Sequence, residues 1–280
     1  MNPSMTPRRP RIRAALACFG GVLAASALAS VVACEGVLDG LTGGPAASNE
    51  GGSDARTDAD AGGVVVQPCP DAAFCDDFES GNLGKWTTVD PGPLITVTVD
   101  DRAPHRGHDA LHLVAPMGDG GITYAEVQHR LSSAKTSGTI SLRAWVLVHE
   151  TLPDDTAFIV FRPPDAPFPS IAFLSTQGRL TYFISDATGS GPGNGGPVTV
   201  ALGVDAYVCL SVTVTVGTAG HLLATVGGTT AADVDIDTLS GSPGIGVAGI
   251  GLPTLTTSRP SEIFFDDVAI SETEPLPCPP

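Results

Sequence analysis

Basic residues are scarce in this chain. Lys and Arg number 14 against 30 Asp and Glu in 280 residues, a formal net charge of −16. Binding nucleic acid depends on neutralising phosphates with Lys and Arg, so a nucleic-acid partner is excluded. The same shortage argues against a basic patch for anionic lipid headgroups. There is no Cys-x-x-Cys pair, which removes zinc ribbons and thioredoxin-like redox motifs. There is no Gly-x-Ser-x-Gly elbow of a serine hydrolase. Gly244–Gly251 is rich in glycine but lacks the strand–helix context of a nucleotide fingerprint, and it reads as a Gly-rich strand. After the first 33 residues no second long apolar run follows, and no amphipathic helix stands out.

What is present begins at the N-terminus. Arg8, Arg9, Arg11 and Arg13 form a positive stretch, Ala14 to Val32 is apolar and helix-prone, and the run stops at Val31-Val32-Ala33-Cys34. This ending resembles the lipobox of bacterial lipoproteins. The resemblance implies a signal peptide over residues 1–33 and lipidation of Cys34, so that the partner is a lipid bilayer reached through acyl chains such as palmitate. An ordinary cleaved signal peptide and an uncleaved membrane helix are the alternatives. Glu35 follows the cysteine, where Asp commonly marks inner-membrane retention, so the resemblance favours the outer membrane. Loss of the four arginines would leave 10 basic residues against the same 30 acidic ones, a net charge of −20.

Residues 34–68 then read as the lipidated cysteine and a flexible linker. Glu35 to Pro68 is rich in Gly, Ala, Ser and Asp and carries no aromatic residue, so it cannot bury enough apolar surface to offset the entropy of ordering. Its typical reach is about 30 Å. The run Asp54 to Asp60 has the wrong spacing for an EF-hand loop and lacks the bidentate Glu.

From Cys69 the pattern changes to short alternating segments. Ile95–Val99 and Val212–Val216 alternate apolar and polar residues, and Ala110–Val114, Ser141–Val148, Phe158–Phe161, Leu180–Ile184 and Ile263–Ile270 are rich in β-branched or aromatic residues. Strand-length runs separated by Gly and Pro predict one all-β domain over 69–280, a jelly-roll or β-sandwich of two antiparallel sheets. Four cysteines fall in it. An even count in an exported chain suggests two disulfides, and four cysteines allow three connectivities. The favoured pairing is Cys69–Cys75, closing a short loop, with Cys209–Cys278 stapling the C-terminal tail to the sandwich.

Two segments carry a further likeness. Phe74-Cys-Asp-Asp-Phe-Glu-Ser-Gly-Asn-Leu-Gly-Lys-Trp86 near the start and Ile263-Phe-Phe-Asp-Asp-Val-Ala-Ile-Ser271 near the end resemble the opening and closing strands of concanavalin A-like lectin/glucanase (LamG-like jelly-roll) domains. Gly107–Leu113, Tyr207–Val214 and His221–Gly228 resemble inner strands of that family. Its members place sugar ligands on one sheet face. In Ile122–Leu131 one face carries Tyr124, Glu126, Gln128 and Arg130, and the other carries Ala125, Val127 and Leu131. In Ser141–Val148, Arg143 and Trp145 alternate against Leu142, Ala144, Val146 and Val148. Tyr124, Glu126, Gln128, Arg130, Arg143 and Trp145 are therefore the candidate ligand face, because aromatic rings stack on sugars while Glu, Gln and Arg bond hydroxyls or carboxylates. A solvated polar face with a half-buried Trp is the competing account. Trp86, beside the terminal-strand signature, is expected in the core.

The resemblance also implies a structural Ca²⁺ where the terminal strands meet, held by Asp76, Asp77, Asp266 and Asp267. Solvated or hydrogen-bonded carboxylates are the alternative. His108 and His112 would share a face, but the cluster with His105 is a weak metal signal. For catalysis, the glucanase branch uses Glu-x-Asp-x-x-Glu on one strand, and no such motif is present. Some lyases of this fold carry Arg-Ser/Thr-Glu-Leu-Arg. Tyr124-Ala-Glu126-Val-Gln128-His-Arg130 echoes it in part, without the first Arg and without the Gln-Ile-His partner. The reading is a surface-anchored lipoprotein whose β-sandwich binds carbohydrate or another envelope polymer without catalysis. A polysaccharide-active enzyme and a structural envelope module are the alternatives.

Overall fold

Alternation decides the local structure here. In Val208–Val216 every second side chain, from Leu210 through Val212 and Val214 to Val216, is buried in the main apolar cluster. The computed structural model describes residues 72–90, 92, 94–116, 125–150, 156–165, 171–176, 179–184, 196–198, 200–239, 243–251 and 260–279. All of these fall in one unit, Gly62–Pro280. The expected signal peptide, Cys34 and the expected linker lie outside the described residues.

Fifteen strands and no helix occur among the described residues. They are β1 (Phe74–Asp76), β2 (Thr88–Asp90), β3 (Thr96–Asp100), β4 (Ala110–Ala115), β5 (Glu126–Lys135), β6 (Gly138–Val148), β7 (Thr156–Arg162) and β8 (Ile171–Thr176). There follow β9 (Arg179–Ile184), β10 (Gly196–Pro197), β11 (Val208–Val216), β12 (Gly220–Val226), β13 (Thr229–Ile236), β14 (Ile245–Gly251) and β15 (Ser261–Ser271). An eight-stranded sheet runs β13-β12-β11-β6-β15-β4-β3, with β1 also on β15. A seven-stranded sheet runs β10-β9-β8-β7-β14-β5-β2. All pairs are antiparallel, and the two sheets form the expected β-sandwich.

The core lies between the sheets. Leu111, Leu113, Ile140, Leu142, Ile263 and Phe265 come from the larger sheet, and Val127, Ile159, Phe161, Ile171 and Phe173 from the smaller. Each buried Phe contributes on the scale of the ~3–5 kcal/mol lost on truncation to Ala. Trp86 is buried as expected and packs edge-on against Phe74 with ring centroids 4.7 Å apart.

Neighbours in sequence are not always neighbours in space. Only Thr136 and Ser137 separate β5 from β6, yet β5 pairs with β14 and β2 while β6 pairs with β11 and β15. Gly138, at φ 90°, takes the left-handed turn where the chain passes from one sheet to the other. Along one edge of β15, β4 pairs with residues 261–265 and β1 with residues 268–270. A bulge at Asp266–Ala269 lies where one partner gives way to the other, with Asp267 at φ 48°.

Candidate functional site

Register assembles a polar group on the face of the seven-stranded sheet turned away from the core. Glu126 of β5 lies opposite Gly251 of β14 on one side and Asp90 of β2 on the other. Gln128 lies opposite Gly249 and Thr88, and Arg130 opposite Val247, which in turn faces Arg162 of β7. Period two sends Val127 and Leu131 into the core and these side chains the other way.

Two glycines let the group close up. A Cβ on Gly251 would meet the Ala125 carbonyl at 2.3 Å and Glu126 Cγ at 3.1 Å, and one on Gly249 would meet the Val127 carbonyl at 3.0 Å. With β14 bare there, Arg162 crosses it and its Nη2 lies 3.2 Å from Glu126 Oε2. Gln128 Nε2 donates to the same oxygen at 2.6 Å. Burial pushes the Glu126 carboxyl above its usual range. Arg162 and Gln128 oppose the rise, and the Asp90 charge adds to it. Arg130 is exposed. Its Nη2 donates to the Pro164 carbonyl at 3.3 Å and lies 3.6 Å from Asp165 Oδ1.

Beside this group the same face is apolar. Val160 pairs with Ala172, and Ala172 with Phe183. These three form a small cluster with Ala157 and Leu174, separate from the main core. Glu126 and Gln128 are buried while Leu174, Arg162 and Phe183 are half-buried. The face thus sets hydrogen-bonding groups next to an aromatic and aliphatic strip.

Arg143 and Trp145 do not join them. The expectation of one six-residue ligand face is corrected because β6 belongs to the other sheet, so both side chains leave the opposite side of the sandwich. Arg143 Nη1 donates to the Pro277 carbonyl at 3.2 Å, and Trp145 is stacked under His105 with centroids 4.0 Å apart. Tyr124 lies outside the described residues. Sequence reasoning missed Asp90, Arg162 and Phe183. A signal existed for Arg162, since Phe158–Phe161 reads as a strand and Arg162 is the charged residue that directly follows it.

The four aspartates assigned to Ca²⁺ divide into two knots filled by N–H donors. Asp76 Oδ1 accepts from Lys85 Nζ at 3.0 Å and the Phe78 N–H at 3.2 Å, and Oδ2 from Trp86 Nε1 at 2.7 Å. Asp77 Oδ1 lies 3.6 Å from Lys85 Nζ. Asp266 Oδ2 accepts from the His105 and Arg106 N–H groups at 2.8 and 3.1 Å, and Oδ1 from the Asp267 N–H at 2.7 Å. Asp267 Oδ2 meets His105 Nδ1 at 2.9 Å. The hydrogen-bonded alternative therefore describes these carboxylates better than a shared ion. Among the described residues no three His, Cys, Asp or Glu side chains are placed to hold a metal. Burial, with the Asp267 charge, pushes the Asp266 carboxyl up to about 7 against its N–H donors.

The histidines also separate. His112 is buried with Nδ1 2.8 Å from Asp100 and Nε2 2.7 Å from Glu262, and its ring lies on Phe264. The backbone N–H of His108 donates to Glu79. Cys209 and Cys278 form the expected disulfide, with Cα atoms 5.8 Å apart. Cys75 is disulfide-bonded too, and its expected partner Cys69 lies outside the described residues.

No protein-family model and no curated protein matches the chain. Among solved structures, an endo-β-1,4-glucuronan lyase from the fungus Trichoderma reesei is similar with a TM-score of 0.59 and 16% identity, over 72% of this chain and 96% of that one. The cellulose-induced protein Cip1 is similar with a TM-score of 0.54 and 20% identity, over 74% of this chain and 100% of that one. At these identities the likeness is one of fold.

Proposed function

We propose that the chain binds carbohydrate on the outer face of its seven-stranded sheet, without catalysis, while acyl chains on Cys34 hold it to the envelope, in the outer membrane. The observation that carries the binding reading is the pairing of Glu126, Gln128 and Arg162 with the strip of Val160, Ala172, Leu174 and Phe183 on one face. A sugar ring has an apolar face and a polar rim, and such a surface offers a partner to each. The fold likeness to a glucuronan lyase supports a carbohydrate ligand and also keeps a polysaccharide-active enzyme in view.

Affinity electrophoresis of the full chain through polysaccharide gels tests the binding reading. Retardation that Phe183→Ala weakens is expected; equal mobility in every gel rejects it. Release of new reducing ends from a retained polymer would replace binding with catalysis. For the anchor, the wild type grown with labelled palmitate takes up label and Cys34→Ser does not. Equal labelling of both rejects lipidation.

A further inference from the structure

We infer that the glycan this face accepts is a neutral one. The inference rests on the reading just given and names the ligand's class. It starts from what the cations of the face already do. Arg162, the cation nearest the floor, is turned along the sheet onto Glu126, and both side chains are largely buried. Arg130, on the rim, leans over Asp165 and the Pro164 carbonyl. Arg179 sits at the exposed start of β9, with β14, β7 and β8 between it and β5. Against these three stand Glu126, Asp90 and Asp165, so among the described residues the face is balanced in charge.

Balance is unfavourable for an acidic polymer on this chain. A polyuronate brings about one negative charge per sugar and must approach a protein of net charge −16. Without a local positive surplus, that approach is opposed by the field of the whole molecule. To take Arg162 from Glu126, a ligand carboxylate would also leave Glu126 buried and uncompensated beside Asp90, which is costly. A neutral glycan has no such conflict. Its hydroxyls can donate to the Glu126 carboxylate and the Gln128 amide oxygen while its apolar ring face covers Phe183 and Val160.

The test uses the purified full chain in low-salt gels carrying laminarin, galactomannan, alginate or polygalacturonate. The expected result is retardation by a neutral polymer and none by the two uronate polymers. Retardation by alginate or polygalacturonate that added salt weakens overturns this inference and leaves carbohydrate binding standing. Unchanged mobility in all four gels removes carbohydrate binding and this inference with it. Two variants probe the charge argument directly. Glu126→Gln removes the negative charge that competes with a ligand for Arg162, and Asp165→Lys, at a residue 92% exposed, adds a cation on the rim where folding is not at stake. Each is expected to gain roughly fivefold in affinity for alginate, the size of a modest ion-pair contribution. Absence of any gain in a folded Asp165→Lys overturns the charge argument whatever Glu126→Gln does.

Discussion

The two outer faces of the sandwich hold similar residues to different ends. On the eight-stranded sheet, Asp266 accepts from three backbone N–H groups, and Asp267 and Trp145 are covered by His105. The C-terminal tail lies across the same side, with Ser211 Oγ donating to the Leu276 carbonyl and the Leu276 N–H donating to Ser141 Oγ. On the seven-stranded sheet, Glu126 is met by side-chain donors, Arg162 and Gln128, among the described residues. Backbone donors fix a carboxylate to the fold, and an unfolding loop is needed to free it. Side-chain donors can swing to a ligand at the cost of a rotamer. The difference fits structural work on the first face and, under the proposed function, recognition on the second.

The largest test of that contrast is the pH dependence of stability. The Asp266 carboxyl is raised to about 7 in the folded chain against an ordinary value near 3.8. A raised carboxyl contributes stability that is complete below about pH 4 and is lost as pH rises through about 7. The loss amounts to at most ~4 kcal/mol, at ~1.4 kcal/mol per pK unit. Asp266→Asn keeps an acceptor for the His105 and Arg106 N–H groups but has no proton to lose. Its Tm should fall less than that of the wild type between pH 4 and pH 7. Parallel curves for the two proteins would break the assignment.

Removing the Cys209–Cys278 bridge, which spans 69 residues, comes next. The double alanine variant should lose about 2–4 kcal/mol in denaturant titration, because the unfolded chain regains the entropy of the open loop. Its affinity for a retained glycan should not change, since the tail lies on the other sheet. Lost binding at full stability would reverse the roles of the two faces.

Much of this fold was legible in residue order. Alternation gave β3 to within a residue and the second half of β11, and β-branched and aromatic runs gave most of β6 and β15. The bridge Cys209–Cys278 is the favoured pairing, although the even count left three connectivities open. What could not be read is which sheet a strand enters. Alternation states that Arg143 and Glu126 each point away from a core, and both do, but it is silent on which side of the sandwich. The corner at Gly138 settles that, and nothing in Thr136-Ser137-Gly138 distinguishes it from a hairpin turn. Asp90 was hidden for another reason. Thr88–Asp90 is three residues long, too short for any periodicity.

A sharper comparison sets Phe183 against Trp145, one aromatic residue from each face. Phe183→Ala should weaken glycan binding by about 1–2 kcal/mol, a loss of roughly five- to thirtyfold, through the lost stacking surface. Trp145→Ala should leave binding unchanged and lower Tm, since its ring supports His105 and through it the Asp267 contact. A binding loss in a folded Trp145→Ala would return that residue to the ligand site and break the contrast.

The smallest effect expected is the most direct sign of function. Glu126 is raised above its ordinary carboxyl value, chiefly by burial. Its ionised form is therefore less stable in the folded chain than in the unfolded one, and its contribution is lost as pH rises through the folded value. Glu126→Gln keeps an oxygen for Arg162 and for the Gln128 amide without the buried charge. Its Tm should rise slightly at neutral pH, and the difference should vanish in acid, where Glu126 is itself neutral. Structural residues behave in the opposite way, because replacing them removes contacts that hold the fold. A carboxylate kept at some cost to stability fits a group retained for a ligand. If Glu126→Gln instead melts lower at neutral pH with the gap unchanged in acid, the Arg162–Glu126–Gln128 group is a fastening of the fold, and the two faces do the same work.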